Sequence, residues 1–187
     1  SGEVLICDND NVCIEGSDQG GVVGTPRFMA PEIVRGEDQP STKTDLFSLS
    51  VLLFFILFLH HPLEGKRERE IHSFDLPAMR KLYGDNPIFI FSPHDTSNRP
   101  VRGYHDNAII YWNIYPQFIR DLFTRAFTEG LEPDMNKRIK EGEWRQAMIR
   151  LRDSIVFGPK GHENFYDNSK ASQGEEHTCW ATNRPIQ

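Results

Sequence analysis

Cysteine is scarce in this sequence. Cys7, Cys13 and Cys179 are the three that 187 residues hold, too few and too scattered for a disulfide framework, so a reducing, cytoplasmic setting is expected. Basic charge is short as well: 21 Lys and Arg face 27 Asp and Glu, a formal net charge of -6. That balance excludes the basic face that a nucleic-acid-binding surface normally carries, and no DNA or RNA partner is expected. No apolar run is long enough to cross a bilayer. The longest, Leu49 to Leu59, is broken only by Ser50 and covers about half of the roughly 20 residues that a bilayer core demands, so no membrane partner is expected either. A basic leader is missing too. Ser1-Gly2-Glu3 runs straight into the strand-like Val4-Leu5-Ile6-Cys7, which argues against a signal peptide and suggests a fragment opening in mid-strand.

What is present is organised around Thr42 to His61. Hydroxyl residues and Asp45 precede the wholly apolar Val51 to Leu59, and His60-His61-Pro62 follows. These are helix start and stop signals, and one helix is expected to begin near Asp45 and to be closed by Pro62. Being apolar all round, it belongs in the middle of a core. Ahead of it, Val4 to Cys7 and Val12 to Ile14 read as two short strands joined by a polar turn. Glu15 to Gly24, with four glycines, reads as a loop, and Met29 to Val34 as a loop entering a short helix with Pro31 in its first turn. After the central helix, Lys66 to Glu70 is a solvated helix or loop face, and Ser73 to Tyr104 an irregular, partly packed insertion. Pro116 to Phe127 and Glu143 to Ile155 carry apolar residues at helical spacing and are expected to pack on the central helix.

One constellation names a family. Asp8, then Gly24-Thr25-Pro26-Arg27-Phe28-Met29-Ala30-Pro31-Glu32, then Asp45 heading an apolar helix, then His61-Pro62-Leu63-Glu64-Gly65, resembles the C-terminal lobe of a protein kinase in order and spacing. Phe127-Thr128-Glu129-Gly130-Leu131-Glu132-Pro133 followed by Arg138 is similar to the late helices of that lobe. The resemblance runs from about Val4 to Leu151. It implies a mainly α fold: a kinase-like C-lobe round a buried central helix, with a short β hairpin at the N-terminus and an irregular C-terminal tail. Residues 1–155 would be the lobe and 156–187 a degenerate zinc-ribbon-like tail.

The resemblance also assigns roles. Asp8 stands where the family holds Mg²⁺ bridging the nucleotide phosphates, although the triplet here is Asp8-Asn9-Asp10 and lacks the usual phenylalanine and glycine; Asp10 would assist the metal or cap the turn. Thr25 would line the substrate-facing loop, Glu32 and Arg138 would form a buried ion pair, and Asp45 would accept backbone N–H groups of a catalytic loop, or cap its helix, or do both. Between Asp8 and Glu32 the hydroxyl side chains are Ser17 and Thr25, which leaves Ser17 as the candidate phosphorylation site.

A working kinase also needs a glycine-rich phosphate loop, a phosphate-pairing lysine and a catalytic-loop aspartate and asparagine, and these motifs are not in the sequence. The expectation is a lobe of a Ser/Thr protein kinase that uses ATP and Mg²⁺ in a full-length parent and is inactive, without cofactors, as written. The alternative is a pseudokinase-type scaffold. Expected partners are a protein substrate or scaffold partner, the missing N-lobe, and a second copy of the lobe covering the surface that an N-lobe would occupy. In the tail, Phe157, Lys160, Cys179 and Thr182 occupy the four ligand positions of a zinc ribbon, similar to those joined to kinase-like lobes in a group of bacterial proteins. One cysteine makes no tetrahedral site, and His162 or His177 would have to be recruited to rescue it, so no zinc is expected. The tail would be an altered ribbon held by Phe165, Tyr166 and Trp180, or disordered.

Overall fold

The computed structural model describes residues 24–186, so the N-terminal hairpin, Asp8, Asp10 and Ser17 lie outside the described residues. In chain order, a 3-10 turn at Pro26–Phe28 leads into α1 (Pro31–Arg35), α2 (Thr42–Phe58), α3 (Lys66–Arg69) and α4 (Leu76–Met79), which runs on into a π-helical turn at Arg80–Asp85. Next come α5 (Asp106–Ile114), α6 (Gln117–Ala126), two 3-10 turns at Glu129–Leu131 and Met135–Lys137, and α7 (Glu141–Asp153). The tail forms β1 (Ile155–Phe157), β2 (Glu163–Phe165) and α8 (Asn168–Ser172). Among the described residues the fold is mainly α, with one small antiparallel sheet in the tail.

The central helix, α2, starts three residues before Asp45. Ser41 is the cap: its hydroxyl accepts the Thr44 N–H at 3.3 Å, and its own N–H is donated to Thr44 Oγ1 at 2.8 Å. This is a capping box with threonine in the place of glutamate, so Asp45 is left as an exposed first-turn carboxylate. Nor does Pro62 stop the helix. Leu59 does, by turning into the left-handed region at φ 50°.

Thr44, Phe47, Ser50, Val51, Phe54 and Phe58 form the buried face of α2. Phe54 lies at the centre, stacked on Phe58 at 4.3 Å and meeting the rings of Phe123, Phe89 and Phe127 at 5.2, 5.8 and 5.9 Å. Phe58 continues the contact to Tyr115, Phe123 and Trp112, and Phe123 continues it to Trp144 of α7. The burial is one-sided, contrary to the expectation from an all-apolar run: Leu52 and Ile56 are 46% and 57% exposed. Helices pack on one flank of α2, and apolarity alone does not say how many flanks are covered.

The segment 73–104 is more deeply packed than its mixed composition suggests. Leu82, Tyr83, Phe89 and Ile90 are buried with the core, and Asn98 is fully buried. Its amide group donates to the carbonyls of Leu63 and Ile88 at 2.8 and 2.7 Å and accepts the Arg67 N–H at 3.1 Å. A polar side chain thus stands in for secondary structure, satisfying backbone groups that an irregular chain leaves open. Gly65 permits the approach, since a Cβ there would lie 2.0 Å from the Asn98 carbonyl oxygen.

The tail is also more regular than expected. Ile155, Val156 and Phe157 pair with Phe165, Asn164 and Glu163 across a turn in which Lys160 and Gly161 both take positive φ. Phe165 stacks on Tyr115 at 5.2 Å, and the Asp167 carboxylate accepts the Gln117 N–H at the start of α6 at 2.8 Å.

Truncating the central ring tests this description. Phe54→Ala is expected to cost about 3–5 kcal/mol of unfolding free energy, while Leu52→Ala on the exposed flank costs under about 1 kcal/mol. Urea unfolding of the two variants checks this, and equal losses would remove Phe54 from the centre of the core.

Candidate functional site

The segment from Thr25 to Glu32 lies against α2 and is tied down at both ends. At its C-terminal end α1 begins with Pro31, whose missing N–H costs nothing in a first turn, and places Glu32 beside Arg138. Arg138 Nη2 lies 2.8 Å from each Glu32 carboxylate oxygen, though it is aligned for a hydrogen bond only to Oε2, and Oε1 has no other partner. Nη1 donates to the Lys43 carbonyl in the first turn of α2 at 2.9 Å, Nε points to the Gly130 carbonyl at 3.4 Å, and the guanidinium sits over the Phe47 ring. The Arg138 side chain is 3% exposed. A charge this buried persists because three well-separated segments supply acceptors for it.

The N-terminal end is held by a second pair. Arg27, in the 3-10 turn after Thr25, grips Glu64 with both edges of its fork: Nε to Oε1 at 2.7 Å and Nη2 to Oε2 at 2.6 Å. Tyr83, from the π-helical turn, donates its hydroxyl to the same Oε1 at 2.6 Å. His61 donates from Nε2 to the Arg27 carbonyl at 2.7 Å, and its Nδ1 accepts the Leu63 N–H at 3.2 Å, which fixes the neutral Nε2–H tautomer. The 3.8 Å approach of Nδ1 to Glu64 is therefore not an ion pair, because the ring carries no charge. Burial holds the His61 pKa down to about 4, with Arg27 and His60 pushing the same way and Glu64 opposing. Burial raises the Glu64 carboxyl, but the Arg27 fork and the Tyr83 hydroxyl outweigh it, and the group sits below the ordinary carboxylate range. The Tyr83 hydroxyl is raised, first by burial and then by the carboxylate it faces.

The residues singled out in the sequence are distributed accordingly. Thr25 is exposed, and its carbonyl accepts the Phe28 N–H at 2.9 Å. Asp45 points its carboxylate to solvent at the N-terminal end of α2, on the helix that carries the Phe55 ring under Arg27. Arg27, His61, Glu64 and Tyr83 had no assigned role. Arg27 and Glu64 were visible as opposite charges in two motifs flanking one helix, but a separation of 37 positions carries no periodic signal. In the tail, Cys179 is buried with its sulfur 3.5 Å from Asn164 Nδ2, while His177 stacks flat on Tyr166 and bonds the Asp167 backbone. Among the described residues no group of three or more His, Cys, Asp or Glu side chains is placed to hold a metal ion. No described helix is long and apolar enough to cross a membrane.

Comparison with known proteins bears on the family. The sequence model of the protein kinase domain matches residues 2–141. The serine/threonine-protein kinase PknD of Chlamydia abortus is 43% identical over 53 residues, which is 28% of this chain and 6% of that protein. PknD of Chlamydia felis is 42% identical over 74 residues, covering 38% of this chain and 8% of that protein. The G2-specific protein kinase fin1 of Schizosaccharomyces pombe is 36% identical over 76 residues, covering 38% and 10%. The matched stretches thus span a tenth or less of these relatives.

Two outcomes follow from these buried groups. Glu32→Gln and Arg138→Met are each expected to cost about 3–5 kcal/mol by denaturant unfolding, and the double variant less than the sum, because each single change strands the other partner. As for pH, the folded-state value of His61 lies below the ordinary 6.5, so the native chain binds fewer protons than the unfolded one between these values. Its contribution is complete above pH 6.5 and shrinks as pH falls toward 4, by about 2 kcal/mol between pH 7 and pH 5. His105, also lowered first by burial, acts in the same direction. Urea melts at pH 7, 6 and 5 should show this decline, and a shallower one in His61→Asn; identical slopes would remove His61 as the source.

Proposed function

Since the chain belongs to the protein kinase family, we propose that residues 24–153 form the substrate-side lobe of a Ser/Thr protein kinase. The single observation that carries the proposal is the Thr25–Glu32 segment, laid along α2 and fastened by Glu32 to Arg138 at one end and by Arg27 to Glu64 at the other. A kinase contributes little covalent chemistry of its own. It works by holding a protein hydroxyl in line with the γ-phosphoryl group of ATP and by neutralising the charge that develops, so a rigid ledge for the substrate is a functional part in itself.

In this reading Thr25 faces the protein substrate, and Asp45 orients the loop that carries the general base. Asp8 is the Mg²⁺ ligand assigned by its place in the sequence. The base, the phosphate-pairing lysine and the glycine-rich loop belong to other parts of a longer protein. That protein would act in the cytoplasm on protein hydroxyls.

The test is phosphate transfer from ATP to a generic protein substrate by the longer protein. Activity is expected, and Asp8→Ala is expected to reduce it by about a hundredfold or more, the scale of losing one group that stabilises the charged transition state. Undiminished transfer by Asp8→Ala would overturn the metal-ligand assignment. No transfer by the intact protein would overturn the catalytic reading in favour of a binding role.

A further inference from the structure

We propose that Arg27 is a positioning residue for the protein substrate, clamped from below by Glu64 so that the fold itself, with no added modification, sets the shape of the loop around Thr25. The inference rests on the kinase reading above and concerns the same face of the lobe.

The clamp has a fixed side and a docking side. Glu64 is the fixed side. Its carboxylate is 10% exposed, Tyr83 donates to one oxygen at 2.6 Å, and its backbone carbonyl is held by His60 Nε2 at 2.6 Å. Arg27 is the docking side, with its side chain 40% exposed and its guanidinium over the Phe55 ring at 5.4 Å. Two parallel N–H···O bonds fix the plane of the fork as well as its distance, which one point charge could not do.

The backbone of Arg27 is held separately by His61 through its carbonyl. One stretch, His61 to Glu64, therefore grips both the side chain and the main chain of a residue two positions beyond Thr25. Phe28 adds edge-on ring contacts to Phe55 and His61 at 6.2 and 6.4 Å. With two of its neighbours anchored, the Thr25 backbone has little freedom left, and its carbonyl closes the turn by accepting from Phe28.

A phosphate set against arginines is one way to order such a loop. Between Asp8 and Glu32 the hydroxyl side chains are only Ser17 and Thr25, whereas the Arg27–Glu64 pair is charged at all times near neutral pH. A resident carboxylate under Arg27 does the work of the phosphate.

Two measurements test this. On the chain as it stands, amide hydrogen exchange of Phe28 and Met29 should speed up at least about tenfold in Arg27→Met and in Arg27→Lys, with the amides in the middle of α2 unchanged. In the longer protein, the same variants should raise KM for the protein substrate about tenfold while leaving KM for ATP as it was, and the reciprocal pair Arg27→Glu with Glu64→Arg should recover part of the loss. Unchanged exchange at Phe28 and Met29 would overturn the clamp. Faster exchange with an unaltered KM for the protein substrate would overturn the positioning role. A longer protein that transfers no phosphate, with exchange still faster in Arg27→Met, would overturn the kinase reading and reduce Arg27 to a structural clasp.

Discussion

The guanidinium of Arg138 has to be solvated by the protein, because water reaches almost none of it. Desolvating an arginine is expensive, and the expense is met only when several acceptors converge with good geometry. Here they come from Glu32 at the start of α1, Lys43 in the first turn of α2 and Gly130 between α6 and α7. The arginine therefore dictates a meeting of three chain segments that hydrophobic burial would leave free to slide. The Thr25–Glu32 segment inherits its place from that meeting: α1 cannot move without breaking the pair, and the chain from Thr25 is only a few residues away.

The second constraint is the ring cluster behind α2. Phe54 and Phe58 meet rings from the insertion, from α5 and from α6, mostly edge to face, the arrangement that the ring quadrupole favours. Such a cluster is dense and directional, so it holds α2 against turning about its own axis. Both clamps on the Thr25–Glu32 segment engage groups on α2 or just past its end. The rigidity of the ring cluster is thereby passed to the far side of the helix, where Arg27 rests over Phe55.

How much of this could be seen in the sequence depends on whether an interaction leaves a periodic or motif-like trace. Helices α2, α6 and α7 leave one, since Phe118, Ile119, Leu122 and Phe123, or Trp144, Ala147 and Leu151, recur at helical spacing. The Glu32 and Arg138 pair was reachable only through the family resemblance, as 106 positions separate the two residues. The boundaries of α2 differ from those expected because Asp45 is a conventional cap residue, while Ser41 with Thr44 caps the helix four positions earlier, and because Leu59 takes a left-handed conformation that glycine adopts more readily. The insertion was legible as partly packed, but the burial of Asn98 within it left no trace. Asn98 replaces a ladder of backbone bonds with one side chain, and nothing about an asparagine between serine and arginine announces that it is inaccessible to water.

The contact between Gly65 and Asn98 also bears on how the sequence can drift. A side chain at position 65 would strike a backbone carbonyl rather than a flexible tip, so no change of rotamer elsewhere can make room. Asn98, in turn, bonds the chain on both sides of that glycine, at Leu63 and Arg67. The two positions are therefore locked together in mutational terms. Surface residues of the insertion can be exchanged one by one, but this junction can be altered only by rebuilding both partners at once, and it marks the point where the irregular segment is welded to the helical frame.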